Sequence, residues 1–275
     1  MAADLTSTEV TPTGSTPVER PTQPAATPPR SQRLRFALVY GVLAIALGVG
    51  VAGVALYAND SMNAGPAWSK WKPSGGGLGA AKQIAEHVAP TYRLPDGTQI
   101  VDVIANGPVF ASGTQKVALP LLVVRGPKGK VLPDQVKQIS SGDTLTFSLC
   151  GLGNACSIST GKPSVQRGTL VRREILELAL YTFKYVRGVK HVVAFLPPPK
   201  GTNPSYVVYL QKDDLKAQLH TPLTRTLNAK VPLPTQITPK EQQQVDALTE
   251  SHTYKFGLSQ TQQGEPVLVL DPLQA

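Results

Sequence analysis

The feature that most constrains this chain is an uncharged apolar run, FALVYGVLAIALGVGVAGVALYA, which extends from Phe36 to Ala58. An α-helix needs about 20 apolar residues to cross the hydrocarbon core of a bilayer, and this run is long enough to do so. The run therefore predicts a single transmembrane helix over residues 36–58, with a short amino-terminal tail on one side and a large domain on the other.

The flanking charges predict how this helix is oriented. Arg30, Arg33 and Arg35 precede the run, whereas the first basic residue after it is Lys70. Because basic flanks stay in the cytoplasm, we expect the tail to be cytoplasmic, the domain to be extracytoplasmic, and Arg33 and Arg35 to lie at the membrane interface. A cleaved signal peptide is the alternative, but its apolar region spans only about 7–15 residues after a short leader. The lengths of the run and of the tail favour an uncleaved anchor in the cell membrane.

The tail, residues 1–35, is rich in Pro, Thr and Ser and contains no aromatic residue. Such a segment cannot bury enough apolar surface to offset the entropy of ordering, so we expect it to be disordered. Its threonines could accept phosphate, or the tail could be a solvated spacer, and composition leaves both alternatives open.

The segment 59–77 is predicted to be a juxtamembrane linker because it is rich in Gly and Pro. It contains Trp68 and Trp71, and tryptophan near a bilayer commonly lies at the level of the lipid headgroups. We assign both to the membrane interface, and docking on the following domain, residues 78–275, is the alternative.

The charge of the region outside the predicted anchor bears on its partners. Residues 59–275 contain 23 Lys and Arg but 15 Asp and Glu. These basic residues are scattered and do not form the aromatic-interleaved stripe typical of nucleic-acid binding, so we predict no nucleic-acid partner. The same charge favours attraction to anionic lipid or to an acidic wall polymer.

The two cysteines of the chain, Cys150 and Cys156, enclose a Gly-rich loop in the segment LCGLGNACS. In an oxidising compartment this pattern predicts a structural disulfide. A metal site would need about four ligands, and no histidine is near in sequence. A redox site would need the C-x-x-C spacing, which is absent.

Hydrophobic periodicity predicts helices over Leu78–Val88, Thr169–Val186 and Lys240–Ser251. Runs rich in β-branched residues predict strands over Gln99–Ile104, Lys116–Val124, Thr144–Leu149, His191–Leu196, Tyr206–Leu210, Thr253–Leu258 and Pro266–Leu270. This order favours the α+β class, with helices packed on a mostly antiparallel sheet. In the long helix, Arg173 and Glu177 are predicted to pair on the exposed side.

One segment resembles a known family. Residues Glu174–Pro198, EILELALYTFKYVRGVKHVVAFLPP, combine a helix with Thr182, Gly188 and Val189 in the pattern T-x-x-x-x-x-G-V, followed by a strand. This pattern resembles the core of the GerMN-type domain of bacterial envelope and sporulation proteins. The resemblance implies an α+β interaction domain without catalytic residues. The whole chain also resembles uncharacterised single-pass membrane proteins of high-GC Gram-positive bacteria, which implies a location and no activity.

The sequence contains no motif that predicts catalysis. The segment Thr160–Ser164, TGKPS, departs from a phosphate-binding loop, because Cys156 occupies the first glycine position and Pro163 the Ser/Thr position. The four histidines are far apart in sequence and have no metal-ligand spacing. Asp213 and Asp214 follow a strand and could serve a hydrolase, but they better fit the N-cap of a short helix. We therefore predict no catalytic, cofactor-binding or metal site.

Three functional hypotheses follow from these features. The first is a membrane-anchored, extracytoplasmic interaction or assembly domain of the bacterial cell envelope, which is not an enzyme and has an envelope protein as partner besides the lipid around its anchor. The second is a binding module for anionic wall polymer or lipid. The third, which the lack of motifs disfavours, is an envelope hydrolase.

Overall fold

The computed structural model describes residues 67–112, 115–126, 136–161 and 163–273. The predicted cytoplasmic tail, the predicted transmembrane helix, Arg33 and Arg35, and residues 59–66 of the predicted linker lie outside these residues. Within the described ranges, no helix is both long and apolar enough to cross a membrane. All described residues belong to one compact unit, Gly65–Ala275.

The described residues contain four α-helices and ten β-strands. The helices are α1 (Gly77–Val88), α2 (Val165–Tyr185), α3 (Lys216–His220) and α4 (Pro239–Thr249). The strands are β1 (Asp102–Asn106), β2 (Val109–Ser112), β3 (Gln115–Ala118), β4 (Leu121–Arg125), β5 (Val136–Ser140), β6 (Thr144–Cys150), β7 (His191–Phe195), β8 (Tyr206–Gln211), β9 (Thr253–Gln260) and β10 (Pro266–Pro272).

Two of these boundaries differ from the sequence prediction for local reasons. Helix α2 begins at Val165, earlier than predicted, because the side chain of Ser164 caps it by accepting a hydrogen bond from the Arg167 amide at 3.1 Å. The predicted strand Lys116–Val124 is two strands, β3 and β4, which are interrupted at Pro120. Proline has no amide to donate to a β-ladder, so a continuous strand cannot run through it.

Eight of the strands form one sheet in the order β1-β6-β7-β8-β9-β10-β4-β5, and β2 and β3 form a separate hairpin. Five of the neighbouring pairs are antiparallel, whereas β6 with β7 and β10 with β4 are parallel. The prediction of an α+β fold with a mostly antiparallel sheet is confirmed. The parallel pair β6 and β7 is joined through α2, which places this helix across one face of the sheet.

Apolar side chains fill both faces of the sheet. On the helical face, Ile84 of α1 and Leu176 of α2 belong to the same buried cluster as Phe147 of β6. On the other face, a second buried cluster joins residues of β7 and β8 to residues of β4, β5 and β10: Val193, Tyr209, Leu122, Ile139 and Leu268. The edge strand β5 therefore shares this cluster with β7 and β8, which are not its neighbours in the strand order.

The predicted exposure of Arg173 is wrong. Its Nη1 atom does lie 3.2 Å from the Glu177 carboxylate, but the Arg173 side chain is fully buried. Its Nε donates to Glu241 at 2.8 Å, Nη2 donates to the Asn228 carbonyl at 2.8 Å, and Nη1 also donates to the Tyr92 hydroxyl. Helix α4, which supplies Glu241, covers the face of α2 that local periodicity assigned to solvent.

Glu174, the next residue on α2, is also fully buried, and neither carboxyl oxygen has a hydrogen-bond partner among the described residues. Burial raises the pKa of Glu174 well above its usual range, and the nearby carboxylates of Glu177 and Asp102 raise it further. Burial therefore favours the neutral carboxylic acid form of this side chain.

Candidate functional site

A groove lies beside the amino terminus of α2, and we call it the α2 groove. The helix, the segment that follows the cysteine loop, the proline-rich loop after β7, and the starts of β8 and β9 contribute to its wall. Its volume is about 290 Å³. Its lining residues are Ile158, Pro163, Ser164, Arg167, Gly168, Val171, Arg172, Leu196, Pro197, Pro199, Tyr206 and Thr253.

The local sequence explains why space remains beside this helix end. Gly168 presents no side chain, and a Cβ atom built at this position would have the Arg172 Nη1 atom, at 3.8 Å, as its nearest neighbour. On the opposite wall, Tyr206 is 44% exposed and Pro199 is exposed. The groove is therefore an open apolar surface.

Arg167 is the feature that distinguishes this groove from an ordinary apolar depression. The residue is only 5% exposed, and its Nε atom has no hydrogen-bond partner in the described part of the chain. Its one hydrogen-bond acceptor among the described residues is the Thr160 carbonyl oxygen, and none of the ion pairs that they form includes Arg167. Burial lowers the pKa of Arg167, yet a guanidinium stays protonated in proteins. The groove therefore contains a positive charge that no carboxylate of the described residues compensates.

The neighbouring Arg172 provides the contrast. Its Nη2 atom forms an ion pair with Asp246 of α4, so its charge is compensated within the fold. The amino terminus of α2 adds a partial positive charge of its own. Together, the unpaired Arg167 and this helix end give the α2 groove an affinity for a negatively charged group that is flanked by apolar surface.

The cysteine loop supports one wall of the groove. Cys150 and Cys156 lie at disulfide-bonding distance, with their Cα atoms 4.2 Å apart. A side chain at Gly151 would come within 2.7 Å of the Ile158 backbone, so the loop requires glycine at this point. The amide of Ile158 donates to the Pro198 carbonyl at 3.0 Å, which joins the loop to the proline-rich wall.

A second depression, which we call the basic pocket, has a volume of about 510 Å³. Its lining residues are Lys137, Gly188, Val189, Lys190, His191, Gln211, Lys212 and Asp213. Lys190 pairs with Asp143 at 3.2 Å, whereas Lys137 donates to the neutral side chain of Gln211. Burial lowers the pKa of His191, so the net positive charge of this pocket comes from its lysines.

The two tryptophans assigned to the membrane interface pack on the domain. Trp68 is 9% exposed, its indole N–H donates to the Gln218 carbonyl at 3.0 Å, and its ring packs edge-on against Tyr181. Trp71 stacks on His87 at 3.9 Å between ring centroids. Both tryptophans therefore make the contacts expected if they dock on the domain. Their position at a membrane interface stays a prediction.

Of the acidic and histidine residues considered for catalysis, Asp214 and His252 lie together, with Oδ2 and Nδ1 4.0 Å apart. Asp213 pairs with Lys216 at 3.1 Å and lies within a short 3₁₀ turn, not at an N-cap, because the residue that precedes the turn is Gln211. His191 contacts the Tyr209 hydroxyl at 2.9 Å. Among the described residues, no group of three or more His, Cys, Asp and Glu could hold a metal ion.

Sequence reasoning missed Arg167 and the groove, although one signal was present. Arg167 lies in the first turn of α2, where the helix dipole disfavours a cation. Its neighbours three and four positions away, Ser164, Leu170, Pro163 and Val171, include no acid that could compensate it. A basic residue at such a position indicates a partner from outside the helix.

Comparison with known proteins gives no match: no family model, no curated protein and no solved structure is similar to this chain.

Proposed function

We propose that this chain is a membrane-anchored, extracytoplasmic interaction or assembly domain of the bacterial cell envelope and that it is not an enzyme. The observation that carries the proposal is the α2 groove, an open apolar surface with an uncompensated buried guanidinium at Arg167. Exposed apolar surface that surrounds a polar anchor group is typical of a binding site.

The chemistry of the groove favours binding over catalysis. None of the described residues that line it is a carboxylate or a histidine, so these side chains offer no general base. Its one serine, Ser164, uses its hydroxyl oxygen to cap α2. These side chains can hold a ligand, and none of them is arranged as an activated nucleophile.

The proposed location rests on the sequence and on the cysteine pair. The apolar run 36–58 with its basic amino-terminal flank favours an anchor whose following domain lies outside the cytoplasm. The bonding distance of Cys150 and Cys156 suits an oxidising compartment, where disulfides persist.

Crosslinking of the full chain in its native membranes, followed by gentle solubilisation, tests this proposal. We expect a stoichiometric envelope protein to be crosslinked to residues outside the cytoplasm. A version without residues 1–35 is a matched control, because the proposal assigns partner binding to the other side of the membrane. An uncrosslinked monomer in native membranes would contradict the proposal.

The basic pocket supports a second candidate function, a module that binds anionic wall polymer or lipid. Lys137, Lys190 and Lys212 line one depression, and the attraction of a polyanion to their ammonium groups is screened by salt. We expect the full chain to sediment with anionic vesicles or wall polymer at low salt and to be released at high salt. Salt-insensitive binding, or equal binding by a Lys137→Gln and Lys212→Gln double variant, would count against this function.

A further inference from the structure

We propose that the α2 groove binds the carboxyl-terminal end of an apolar segment of a partner protein, with the terminal carboxylate paired to Arg167. This inference rests on the proposed function and specifies the chemistry of the partner.

The charge of the groove requires an anion. A buried cation without a counter-charge is costly, and the described residues supply Arg167 with one carbonyl oxygen and no carboxylate. Its buried Nε atom has no partner among the described residues. A guanidinium presents its N–H groups in a planar fork that matches the two oxygens of a carboxylate.

The helix end favours the same group. The first amides of a helix lack partners within the helix, and in α2 the Ser164 side chain and carbonyl satisfy those of Arg167 and Gly168. The remaining positive end of the helix dipole lies beside the guanidinium. A positive helix end beside a guanidinium favours a carboxylate at this place.

The apolar walls indicate what accompanies the carboxylate. Leu196, Pro197, Pro199 and Tyr206 present apolar surface next to Arg167. The groove is open to water, so it cannot enclose an acyl chain, whereas it leaves the backbone of a peptide solvated. Its volume of about 290 Å³ is at the lower end for ligand sites, which suits the end of a chain better than a longer stretch that passes through.

A selection experiment tests the inference. The full chain, purified in mild detergent, is used to select from a displayed library of short random peptides with free carboxyl termini. We expect enrichment of peptides that end in apolar residues. Synthesis of the best peptide with a terminal amide should weaken binding by about 10-fold or more, since a charge-assisted contact is lost. The Arg167→Gln variant should weaken binding of the free-carboxylate peptide by a similar factor.

Two variants separate binding from folding. Gly168→Leu fills the groove with a side chain at a helical position, and leucine is a better helix former than glycine, so the protein should stay folded while binding is lost. Gln166→Leu adds the same side chain at an exposed position of the same helix that does not line the groove. This control should bind the peptide as the original chain does. Thermal unfolding of every variant verifies the fold.

Several results would overturn the inference. They are a selection without enrichment, equal binding of the amidated peptide, and retained binding by Gly168→Leu. Groove-dependent binding of oleate in place of peptide would identify a lipid site instead. If Gly168→Leu still crosslinks to an envelope protein in native membranes, the inference fails while the proposed function stands. If peptides bind but no partner crosslinks, the proposed function fails.

Discussion

Replacement of Arg173 by methionine should destabilise the domain strongly, because this side chain is the centre of a buried polar cluster. The change removes hydrogen bonds to Glu241, Tyr92, Glu177 and the Asn228 carbonyl. It also leaves the Glu241 carboxylate, 4% exposed, without its cation. Removal of one partner from a buried ion pair costs about 3–5 kcal/mol of unfolding free energy. For a unit of this size, each kcal/mol lowers the Tm by about 2–4 °C, so we expect a decrease of about 6–20 °C.

Urea-induced and thermal unfolding of the full chain in mild detergent, followed by circular dichroism, measures this loss. Arg172→Met is the matched control, since it makes the same chemical change at the next position of α2. Arg172 and Asp246 form a partly exposed pair, with side chains 22% and 26% exposed, and such pairs contribute about 1 kcal/mol or less.

The double variant Arg173→Met with Glu241→Met separates the ion pair from general packing. Removal of both charges should restore part of the lost stability, because the uncompensated carboxylate is gone. The reasoning would be refuted if Arg173→Met cost no more than Arg172→Met, or if the double variant were as unstable as the sum of its single variants.

Three further perturbations test other parts of the fold. Burial raises the folded-state pKa of Glu174 above the usual 4.5, so the stability of the chain should fall as pH rises above about 4.5, until that folded-state pKa is passed. In urea titrations at different pH values, Glu174→Gln should remove about 1.4 kcal/mol per pH unit of this decrease in unfolding free energy. Parallel curves of stability against pH for the two proteins would contradict this prediction. The double variant Cys150→Ser with Cys156→Ser should lose about 2 kcal/mol of unfolding free energy in urea, and an equal loss by the original chain in reductant would confirm the disulfide as its source. Trp68→Ala should lose about 3 kcal/mol, because it removes a buried indole and its hydrogen bond to Gln218; an unchanged Tm would show that the indole does not dock on the domain.

Much of the fold was predictable because its signals are local. The long helix was indicated by apolar positions at helical spacing. It ends at Tyr185, shortly before Gly188, whose φ of 83° would be strained in a residue with a side chain. Strands β9 and β10 were similarly indicated by two apolar runs, and the structure pairs them across a turn that contains Gly264. Such patterns depend on neighbours within a few residues, so one sequence is enough to recognise them.

The burial of Arg173 was not predictable because its partners are distant in sequence. Glu241 lies 68 residues away and the Asn228 carbonyl 55 residues away. The only partner of Arg173 that the local sequence indicated was Glu177, four residues later, and such a pair usually lies on the exposed side of a helix. The α2 groove was not predictable for the same reason, since its walls come from segments that only the tertiary fold brings together.

The position of β10 has a consequence for how the chain reaches its folded state. This strand is made after the other nine described strands, yet it lies between β9 and β4, and its parallel partner β4 is made early. Until β10 arrives, the hairpin of β4 and β5 has no other neighbour in the sheet, and the apolar side chains of Leu122 and Ile139 lack their partner Leu268. Pairings this remote in sequence form slowly. During synthesis the nascent chain therefore leaves one edge of this hairpin unpaired, and open to aggregation, until β10 joins the sheet.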